Sequence, residues 1–334
     1  MIENNNQIKI FCSKDWFFDS AQDKSYELLD TGEGEKLERF GKYIFVRPYE
    51  DAVWKKTLSN KEWEKSDGKF WSSKTGAKKG WTFKNKITEK WEMEYKGIKF
   101  LASPTPFRHL GFFPEQASHW DFIEEKLLGE KAKNFSPLLH PSGGTFRLQN
   151  SSHSSPPKFL NLFGYTGVAS LFALRAGAEV THLDASKQTL NWVKENQKIS
   201  GLENLPMRII EDDPIKFLER EEKRGNKYDA IIMDPPKFGR GPKGEVWKLE
   251  EMLPKLLSQV QKVLSDKPLF VILTSYAVDS SVLSLGYALS ETMKDFKGEV
   301  EVGELCVLEK SNKRLISLAN TAIWTPSLAS DGVE

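Results

Sequence analysis

The sequence predicts an α/β fold in which helices cover both faces of a mostly parallel sheet, preceded by a smaller β-rich region. From residue 159 onward, short apolar runs alternate with amphipathic segments of helical period, and the loops between them are short. Two longer alternating runs, 299–308 and 314–324, then flank the polar turn 310–313, a pattern typical of an antiparallel hairpin. We therefore expect a seven-stranded, Rossmann-like sheet that closes with a C-terminal hairpin.

The predicted elements follow one another as βα units. Ser186 is a good N-cap for the second helix, and Pro214 suits the first turn of the third. Repeated units of this kind form a parallel sheet, because each crossover returns the chain to the same edge. The expected strands span residues 159–164, 179–184, 206–211, 228–233 and 268–274. Helices are expected at 166–176, 186–199, about 248–264 and about 280–295, in addition to the one that begins at Pro214.

The bulk composition is that of an ordinary globular protein, with 39% hydrophobic and 28% charged residues. A chain of 334 residues can hold two domains. The formal net charge of +1 excludes a protein held on nucleic acid by overall charge alone, although it permits a local basic face. Cys12 and Cys306 are the only cysteines, so we expect no disulfide framework and no metal site. Without a secretory-signal pattern or a membrane-spanning apolar run, the expectation is a cytoplasmic protein with no membrane contact.

Two regions of the chain differ in character. We expect a β-rich N-terminal domain at 1–105, which contains short alternating runs such as 43–46 and 91–95. The α/β domain is expected at 106–330. This division follows from the change in pattern, since the regular βα alternation is confined to the second region.

The N-terminal region also carries a local positive charge. Residues 55–99 contain thirteen lysines and six acidic residues, a local excess of +7. The tryptophans among or beside these lysines are Trp54, Trp63, Trp71, Trp81 and Trp91. This pattern is typical of a nucleic-acid surface, where rings stack on bases and lysines meet phosphates, with Lys74, Lys78 and Lys79 as expected contacts. It is also typical of a small β-domain with tryptophans in its core and solvated lysines, and both interpretations can hold.

Polar and glycine residues follow four consecutive predicted strands, at the edge where parallel sheets bind ligands. Asp184 is expected to accept hydrogen bonds from ribose hydroxyls, and Asp213 from an adenine amino group. Asp212 is the alternative to Asp213, although it could instead cap the following helix. The candidate ligand-binding residues are Asn161, Phe163, Gly164, Tyr165, Thr166, Gly167, Asp184, Ala185, Ser186, Asp212, Asp213, Pro214 and Asp234.

The turn after the first α/β strand favours one class of nucleotide ligand. A dinucleotide site requires Gly-x-Gly-x-x-Gly, whereas here Tyr165 stands where a pyrophosphate needs clearance. S-adenosylmethionine (SAM) has no phosphate, so the less glycine-rich turn Gly164-Tyr-Thr-Gly167 is sufficient. Asp234-Pro-Pro236 adds a rigid lip at the end of the fourth strand. Together these residues predict a SAM-dependent methyltransferase rather than an NAD enzyme or a turn that binds nothing.

These motifs resemble those of the bacterial large-subunit ribosomal RNA methyltransferases, which make 5-methylcytidine and N7-methylguanosine. The resemblance rests on residues 161–167, Asp212-Asp213, the sequence Asp234-Pro-Pro-Lys-Phe238, and Gly111-Phe-Phe-Pro-Glu-Gln116, and covers about 106–325. Residues 35–41 and 107–120 are similar to a less characterised branch of SAM-dependent methyltransferases. The resemblance implies a class I methyltransferase fold, SAM as cofactor and an RNA partner. It also implies that Phe113 and Gln116 pack against the cofactor.

One departure from the family concerns the reaction. Methylation of pyrimidine carbon 5 needs a Cys after the fifth strand of the α/β sheet, and Ser275 stands there. We therefore expect methylation of a nitrogen or oxygen. The expected catalytic residues are Asp234, Pro235, Pro236 and Lys237, and Arg240 and Lys243 follow Lys237 in a glycine-rich loop that could cover a substrate or be a mobile surface loop. The alternatives are a methyltransferase of small molecules or proteins, and a non-catalytic RNA-binding module with a SAM fold.

Overall fold

The computed structural model describes residues 8–12, 25–72, 80–129, 155–276 and 281–327. Its first part is mostly β-structure, as the alternating runs predict. The elements are β1 (Lys9–Phe11), β2 (Tyr26–Gly32), β3 (Glu35–Phe40), β4 (Tyr43–Pro48), α1 (Asn60–Trp63), β5 (Gly68–Trp71), β6 (Gly80–Phe83), β7 (Trp91–Tyr95) and β8 (Ile98–Ala102). A 3₁₀ turn at Pro114–Gln116 leads into α2 (Ala117–Leu128).

The second part contains the predicted βα units, with boundaries within a few residues of those expected. The elements are β9 (Lys158–Leu162), α3 (Val168–Arg175), β10 (Glu179–Asp184), α4 (Lys187–Ile199), β11 (Met207–Glu211), α5 (Pro214–Lys223), β12 (Ala230–Met233), β13 (Phe238–Arg240), β14 (Val246–Lys248), α6 (Leu249–Val263), β15 (Phe270–Ser275), α7 (Val282–Thr292), β16 (Gly298–Leu308) and β17 (Leu315–Pro326). Ser186 caps α4 as predicted, accepting a hydrogen bond from the Thr189 amide. None of the helices in the described ranges is long and apolar enough to cross a bilayer.

The central sheet has eight strands in the order β1-β16-β17-β15-β12-β9-β10-β11. Seven of its strands come from the α/β region, mostly parallel as predicted, and β17 is antiparallel to both of its neighbours. The expected count of seven was too low, because β1 adds to the edge in parallel with β16. Three residues are too few for an alternating pattern to be recognised in the sequence. The first 105 residues therefore contribute one strand to the large sheet.

Both faces of the central sheet are covered. Successive strand residues point to opposite faces, so Phe159 and Phe270 pack in one apolar cluster and Leu160 and Val271 in the other. All four residues of β12 are buried. Such strands carry continuous apolar runs because helices cover the sheet on both sides.

The tryptophans of the basic region mostly serve the core. Trp63 and Trp91 are buried, and Trp54 and Trp81 are partly buried against a core cluster. Trp71 is half-buried, with the Lys69 ammonium 4.3 Å from its ring centroid. The β-core interpretation thus accounts for most of these rings. Lys74, Lys78 and Lys79 lie outside the described residues, and their contact with phosphates stays a prediction.

Buried polar contacts join the N-terminal sheet to the end of the chain. Glu309 is fully buried and accepts hydrogen bonds from the Thr31 amide at 2.6 Å and from its hydroxyl at 2.5 Å. Ser311 donates to Asp30 at 2.6 Å. A buried carboxylate is stable only when it is paired or hydrogen-bonded, so these contacts fix the two sheets against each other. The domain boundary near residue 105 stays a prediction.

Candidate cofactor site and reaction centre

The candidate site lies at the carboxyl ends of β10, β9 and β12. These three strands are parallel neighbours, with β9 between the other two. The strand order changes sides at β9, because the chain first crosses over to β10 on one side of it and later returns to β12 on the other. This is the switch point at which open α/β sheets bind ligands. The turn after β9 is joined to the end of β10, because the Gly164 amide donates to the Leu183 carbonyl at 2.9 Å. Polar residues that are far apart in sequence therefore meet at one edge.

The turn between β9 and α3 has an unusual backbone. Phe163 and Tyr165 are both left-handed, with φ of 58° and 51°, a conformation that costs roughly 1 kcal/mol or more for each residue. Gly164 is required by packing, since a Cβ there would lie 2.3 Å from His182 Cε1. Gly167 has φ of 85°, and its Cβ would lie 2.9 Å from Val193 Cγ1. The protein's own side chains thus explain both glycines, and close passage of a ligand is not needed to account for them.

Two predicted ligand-binding residues support this turn from inside the protein. Asn161 is buried and donates from Nδ2 to Ser170 Oγ at 3.0 Å. Ser170 Oγ in turn lies 2.9 Å from His182 Nδ1. Thr166 is also buried and donates to the Gly111 carbonyl at 2.5 Å. These side chains position the turn, and the residues left half-buried at the crevice are Phe163, Gly164 and Tyr165.

Asp184 ends β10 and holds the turn against α4. Its Oδ2 accepts from the Tyr165 amide at 2.9 Å, and its Oδ1 accepts from the Ser186 amide at 2.9 Å and from Thr189 Oγ1 at 3.0 Å. Burial raises the pKa of Asp184, and these donors oppose the rise. A carboxylate has about four acceptor positions, so capacity remains for a ligand hydroxyl. Ala185 follows, half-buried.

The helix cap considered for Asp212 belongs to Asp213. Asp213 Oδ1 accepts from the Lys216 amide at 3.0 Å, and Pro214 occupies the first helical position as expected. Asp212 instead forms an ion pair with Arg220 and accepts from the Asp213 amide. An N-cap side chain accepts a hydrogen bond from an amide in the first turn of the helix. Because Pro214 is the first helical residue and Lys216 the third, the cap is Asp213, directly before Pro214.

A second cluster lies at the end of β12. Gln116 donates from Nε2 to Asp234 Oδ2 and to the Tyr276 hydroxyl, both at 3.2 Å. Its Oε1 lies 2.8 Å from His119 Nδ1, and burial lowers the pKa of His119 to about 3, so this histidine is neutral. With its Oε1 toward His119, the Gln116 amide has its NH₂ group toward Asp234.

Asp234 has a buried oxygen that nothing in the described ranges satisfies. That atom is Oδ1. Burial, with the nearby Glu115, raises the pKa of Asp234 well above its ordinary value, and burial likewise raises the pKa of Glu115. A buried acceptor without a donor costs free energy, so this oxygen is poised to receive a hydrogen bond or a positive charge from a ligand.

Aromatic rings line the same crevice. The ring of Phe113 lies 5.5 Å from that of Tyr165 and 5.0 Å from that of Tyr276. Tyr276 and Glu115 are not among the site residues expected from the sequence. Tyr276 directly follows β15, so the same strand-end rule would have found it. Glu115 lies inside the 111–116 motif, but its burial arises only from the tertiary packing.

The lip after β12 continues into an ordered hairpin. Pro235 is buried, whereas Pro236 and Lys237 are exposed. The Pro236 carbonyl, a predicted acceptor at the reaction centre, already accepts from Trp247 Nε1 at 2.7 Å. The predicted glycine-rich loop connects β13 and β14, which pair antiparallel, and Arg240 lies on β13. The segment is therefore structured rather than an irregular loop.

The chemistry of these groups selects among nucleotide ligands. Carboxylates occur at the ends of β10, β11 and β12, and a phosphate placed among them would be repelled. SAM carries hydroxyls and an ammonium, which donate hydrogen bonds to carboxylates, and a positively charged sulfonium, which carboxylates attract. The unsatisfied Oδ1 of Asp234 is a natural acceptor for such a group. The residues present therefore suit SAM, which supplies an electrophilic methyl group when bound.

Comparison with solved structures decides the family. The chain is similar over nearly its whole length to a crystallised SAM-dependent methyltransferase from Agrobacterium tumefaciens, with 38% identity and a TM-score of 0.81. The match covers 95% of this chain and 93% of that one. This chain belongs to the SAM-dependent methyltransferases. SAM is accordingly its cofactor, and the predicted class I architecture is confirmed.

More local similarities connect this methyltransferase to other proteins. Residues 145–280 match the family model described as "Conserved hypothetical protein 95". The "Ribosomal RNA large subunit methyltransferase I" of Aeromonas salmonicida is 37% identical over 89 residues, 26% of this chain and 22% of that protein. The "Ribosomal RNA large subunit methyltransferase K" of Neisseria meningitidis is 30% identical over 142 residues, 41% of this chain and 40% of that protein. The matched segments thus span less than half of these relatives.

Proposed function

We propose that this methyltransferase modifies ribosomal RNA of the large subunit, at a nitrogen or oxygen atom rather than at pyrimidine carbon 5. The RNA substrate is supported by the names of relatives that match part of this chain. The choice of atom is supported by one observation in particular. Ser275 ends β15, directly beside β12 and its Asp234, at the position where carbon-5 enzymes of the family carry a nucleophilic Cys.

Cys306 is poorly suited to replace that nucleophile. Ser275 is level with Asn320 on β17, which is level with Glu304 on β16. Cys306 therefore lies two strands away from β15, and two residues beyond Glu304 along β16. Burial raises the pKa of Cys306 to about 12, so its thiol stays protonated, whereas covalent attack requires the thiolate.

A nitrogen or oxygen nucleophile needs orientation, exclusion of water and an acceptor for its proton. Asp234 supplies the acceptor in this proposal, since a positioned carboxyl group can take a proton from the reacting atom and burial raises its pKa above the ordinary value. Gln116 holds one of its oxygens, and the other points to no donor in the described ranges. Lys237, exposed on the lip, is placed to meet a substrate phosphate.

The cofactor contacts follow the same proposal. Asp184 accepts from a ribose hydroxyl through its remaining acceptor position, and Asp213 accepts from the adenine amino group through the oxygen that does not cap α5. Phe113 and Gln116 cover the cofactor from the side of the N-terminal segment. The turn with its strained Phe163 and Tyr165 supplies the opposite wall.

Mass spectrometry of nucleosides from large-subunit ribosomal RNA tests the proposal. A strain without the gene should lack one N- or O-methylated nucleoside that wild type contains, and wild-type enzyme should restore it while Asp234→Asn should not. Loss of a 5-methylpyrimidine would refute the proposed atom. Unchanged RNA, with methyl transfer to a ribosomal protein or a metabolite instead, would refute the substrate.

A further inference from the structure

Residues 105–109 form a tight turn whose backbone is fixed by its surroundings. Thr105 donates from its amide and from Oγ1 to the His109 carbonyl, at 3.1 Å and 2.9 Å. Trp81 donates from Nε1 to the carbonyls of Thr105 and Phe107, both at 2.9 Å. A turn held by this many hydrogen bonds has little freedom to relax.

The two side chains at its tip take no part in holding it. Phe107 is 71% exposed, and Arg108 is exposed as well. Within the described ranges, no ring packs on Phe107 and no acid pairs with Arg108. The backbone of the tip is nevertheless anchored, because the buried Arg47 donates to the Arg108 carbonyl at 3.0 Å. A rigid backbone thus presents a ring and a guanidinium to solvent.

The tip is connected to the crevice by a row of aromatic rings. The His109 ring lies 4.9 Å from that of Phe113, which contacts both Tyr165 and Tyr276. Burial lowers the pKa of His109 to about 3, so this ring is neutral at physiological pH. Phe107 and Arg108 are therefore linked to Asp234 through the rings of His109, Phe113 and Tyr276, and through Gln116, which bonds both Tyr276 and Asp234.

We propose that Phe107 and Arg108 bind an unpaired RNA nucleotide next to the one that is modified. Phe107 stacks on its base, and Arg108 contacts its phosphate. The inference rests on the proposed RNA substrate. A phenyl ring stacks on any base, so the tip adds affinity for unpaired RNA without selecting its sequence. Because the backbone is already fixed, little conformational entropy is lost on binding.

The test measures binding of the full-length protein to a labelled single-stranded RNA of mixed sequence, and to the same RNA annealed to its complement. Phe107→Ala should weaken single-strand binding roughly 5- to 150-fold, the range observed for loss of one stacked base. Phe107→Trp should preserve it. Arg108→Ala should reduce the slope of log affinity against log salt by about 0.7. Duplex binding should be insensitive to Phe107→Ala, and SAM affinity should be unchanged in every variant.

Tyr287→Ala is the matched control, since Tyr287 is 63% exposed on α7 and has no proposed contact with RNA. If wild type binds RNA and Phe107→Ala binds equally well, or if Tyr287→Ala causes the same loss, the tip inference is overturned and the RNA substrate stands. If wild type neither binds nor methylates RNA, both the proposed function and the inference are refuted. Loss of methylation of a ribosomal protein in Phe107→Ala, with RNA binding intact, would assign the tip to a protein partner and overturn the inference.

Discussion

Gln116 donates a hydrogen bond to Asp234 across 118 residues of sequence, at 3.2 Å. This contact joins the segment before α2 to the end of the strand that carries the Asp-Pro-Pro lip. Gln116 also contacts His119, whose Nδ1 lies 2.8 Å from Gln116 Oε1. Asp234 therefore receives one hydrogen bond, from Gln116, and its second oxygen, which has no donor in the described ranges, is left for a ligand.

Asp234→Asn should become more stable relative to wild type as the pH rises. The pKa of Asp234 is raised in the folded protein, so folding favours the protonated carboxyl. The associated stability is complete below the ordinary aspartate pKa and is lost as the pH rises through the folded pKa. Asparagine is neutral throughout and escapes this loss. Denaturant unfolding of both proteins without SAM, at several pH values, measures the difference, and a difference independent of pH would contradict it.

SAM binding should release a proton from Asp234 at a pH below its raised pKa, where the carboxyl of the free protein is protonated. The positive charges of SAM favour the ionised carboxylate, so binding lowers the raised pKa. Calorimetry in buffers with different ionisation enthalpies measures the proton release, which Asp234→Asn should abolish. Glu115→Gln is the control, because the pKa of Glu115 is also raised and its proton could be the source. Proton release that disappears in Glu115→Gln and persists in Asp234→Asn would assign the proton to Glu115 and contradict the prediction.

Asp184→Ala should weaken SAM binding by about 1.5–3 kcal/mol, the scale of hydrogen bonds to a charged group. The substitution also removes the acceptor for the Tyr165 and Ser186 amides, so stability should fall. Asp229→Ala separates the two effects. Asp229 accepts from the Lys158 amide at 2.8 Å, at the opposite edge of the sheet. It should lose stability but keep its SAM affinity, and equal SAM affinities for the two variants would remove Asp184 from the cofactor site.

Gly164→Ala should be more destabilising than Gly177→Ala. A methyl group at Gly164 would collide with the buried His182 ring, and overpacking of this kind costs roughly 1–3 kcal/mol in addition to any shift of the turn. Gly177 has φ of 92° with no atom within 4 Å of the added methyl, so only the backbone conformation opposes alanine. Thermal unfolding gives the ranking, and calorimetry should show reduced SAM affinity in Gly164→Ala alone. The reverse ranking would mean that His182 moves aside freely.

A variant with Cys12→Ser and Cys306→Ala should retain its methyl-transfer activity. No covalent intermediate is expected, because Ser275 replaces the nucleophile and the pKa of Cys306 is raised to about 12. Alanine is chosen for Cys306 because that side chain is buried, and a serine hydroxyl there would need a hydrogen-bond partner. Activity is measured by transfer of labelled methyl groups to RNA. Loss of activity with intact SAM binding would establish a thiol-dependent reaction.

Local signals in the chain specify the order of the elements and the edge at which the ligand residues lie. Strand and helix periods, the Ser186 cap and Pro214 are local signals, and the carboxyl ends of parallel strands share one edge whatever the details of packing. The sequence therefore predicts that Asp184 and Asp234 lie at the same edge of the sheet.

Tertiary packing sets the role of each of these side chains. It made Gly164 a packing requirement of His182, gave the helix cap to Asp213 instead of Asp212, and brought Gln116 and Tyr276 to Asp234. It also added β1 to the sheet through a three-residue pairing with β16. These contacts join residues distant in the chain, and their burial, pKa shifts and hydrogen bonds depend on neighbours that no local pattern specifies.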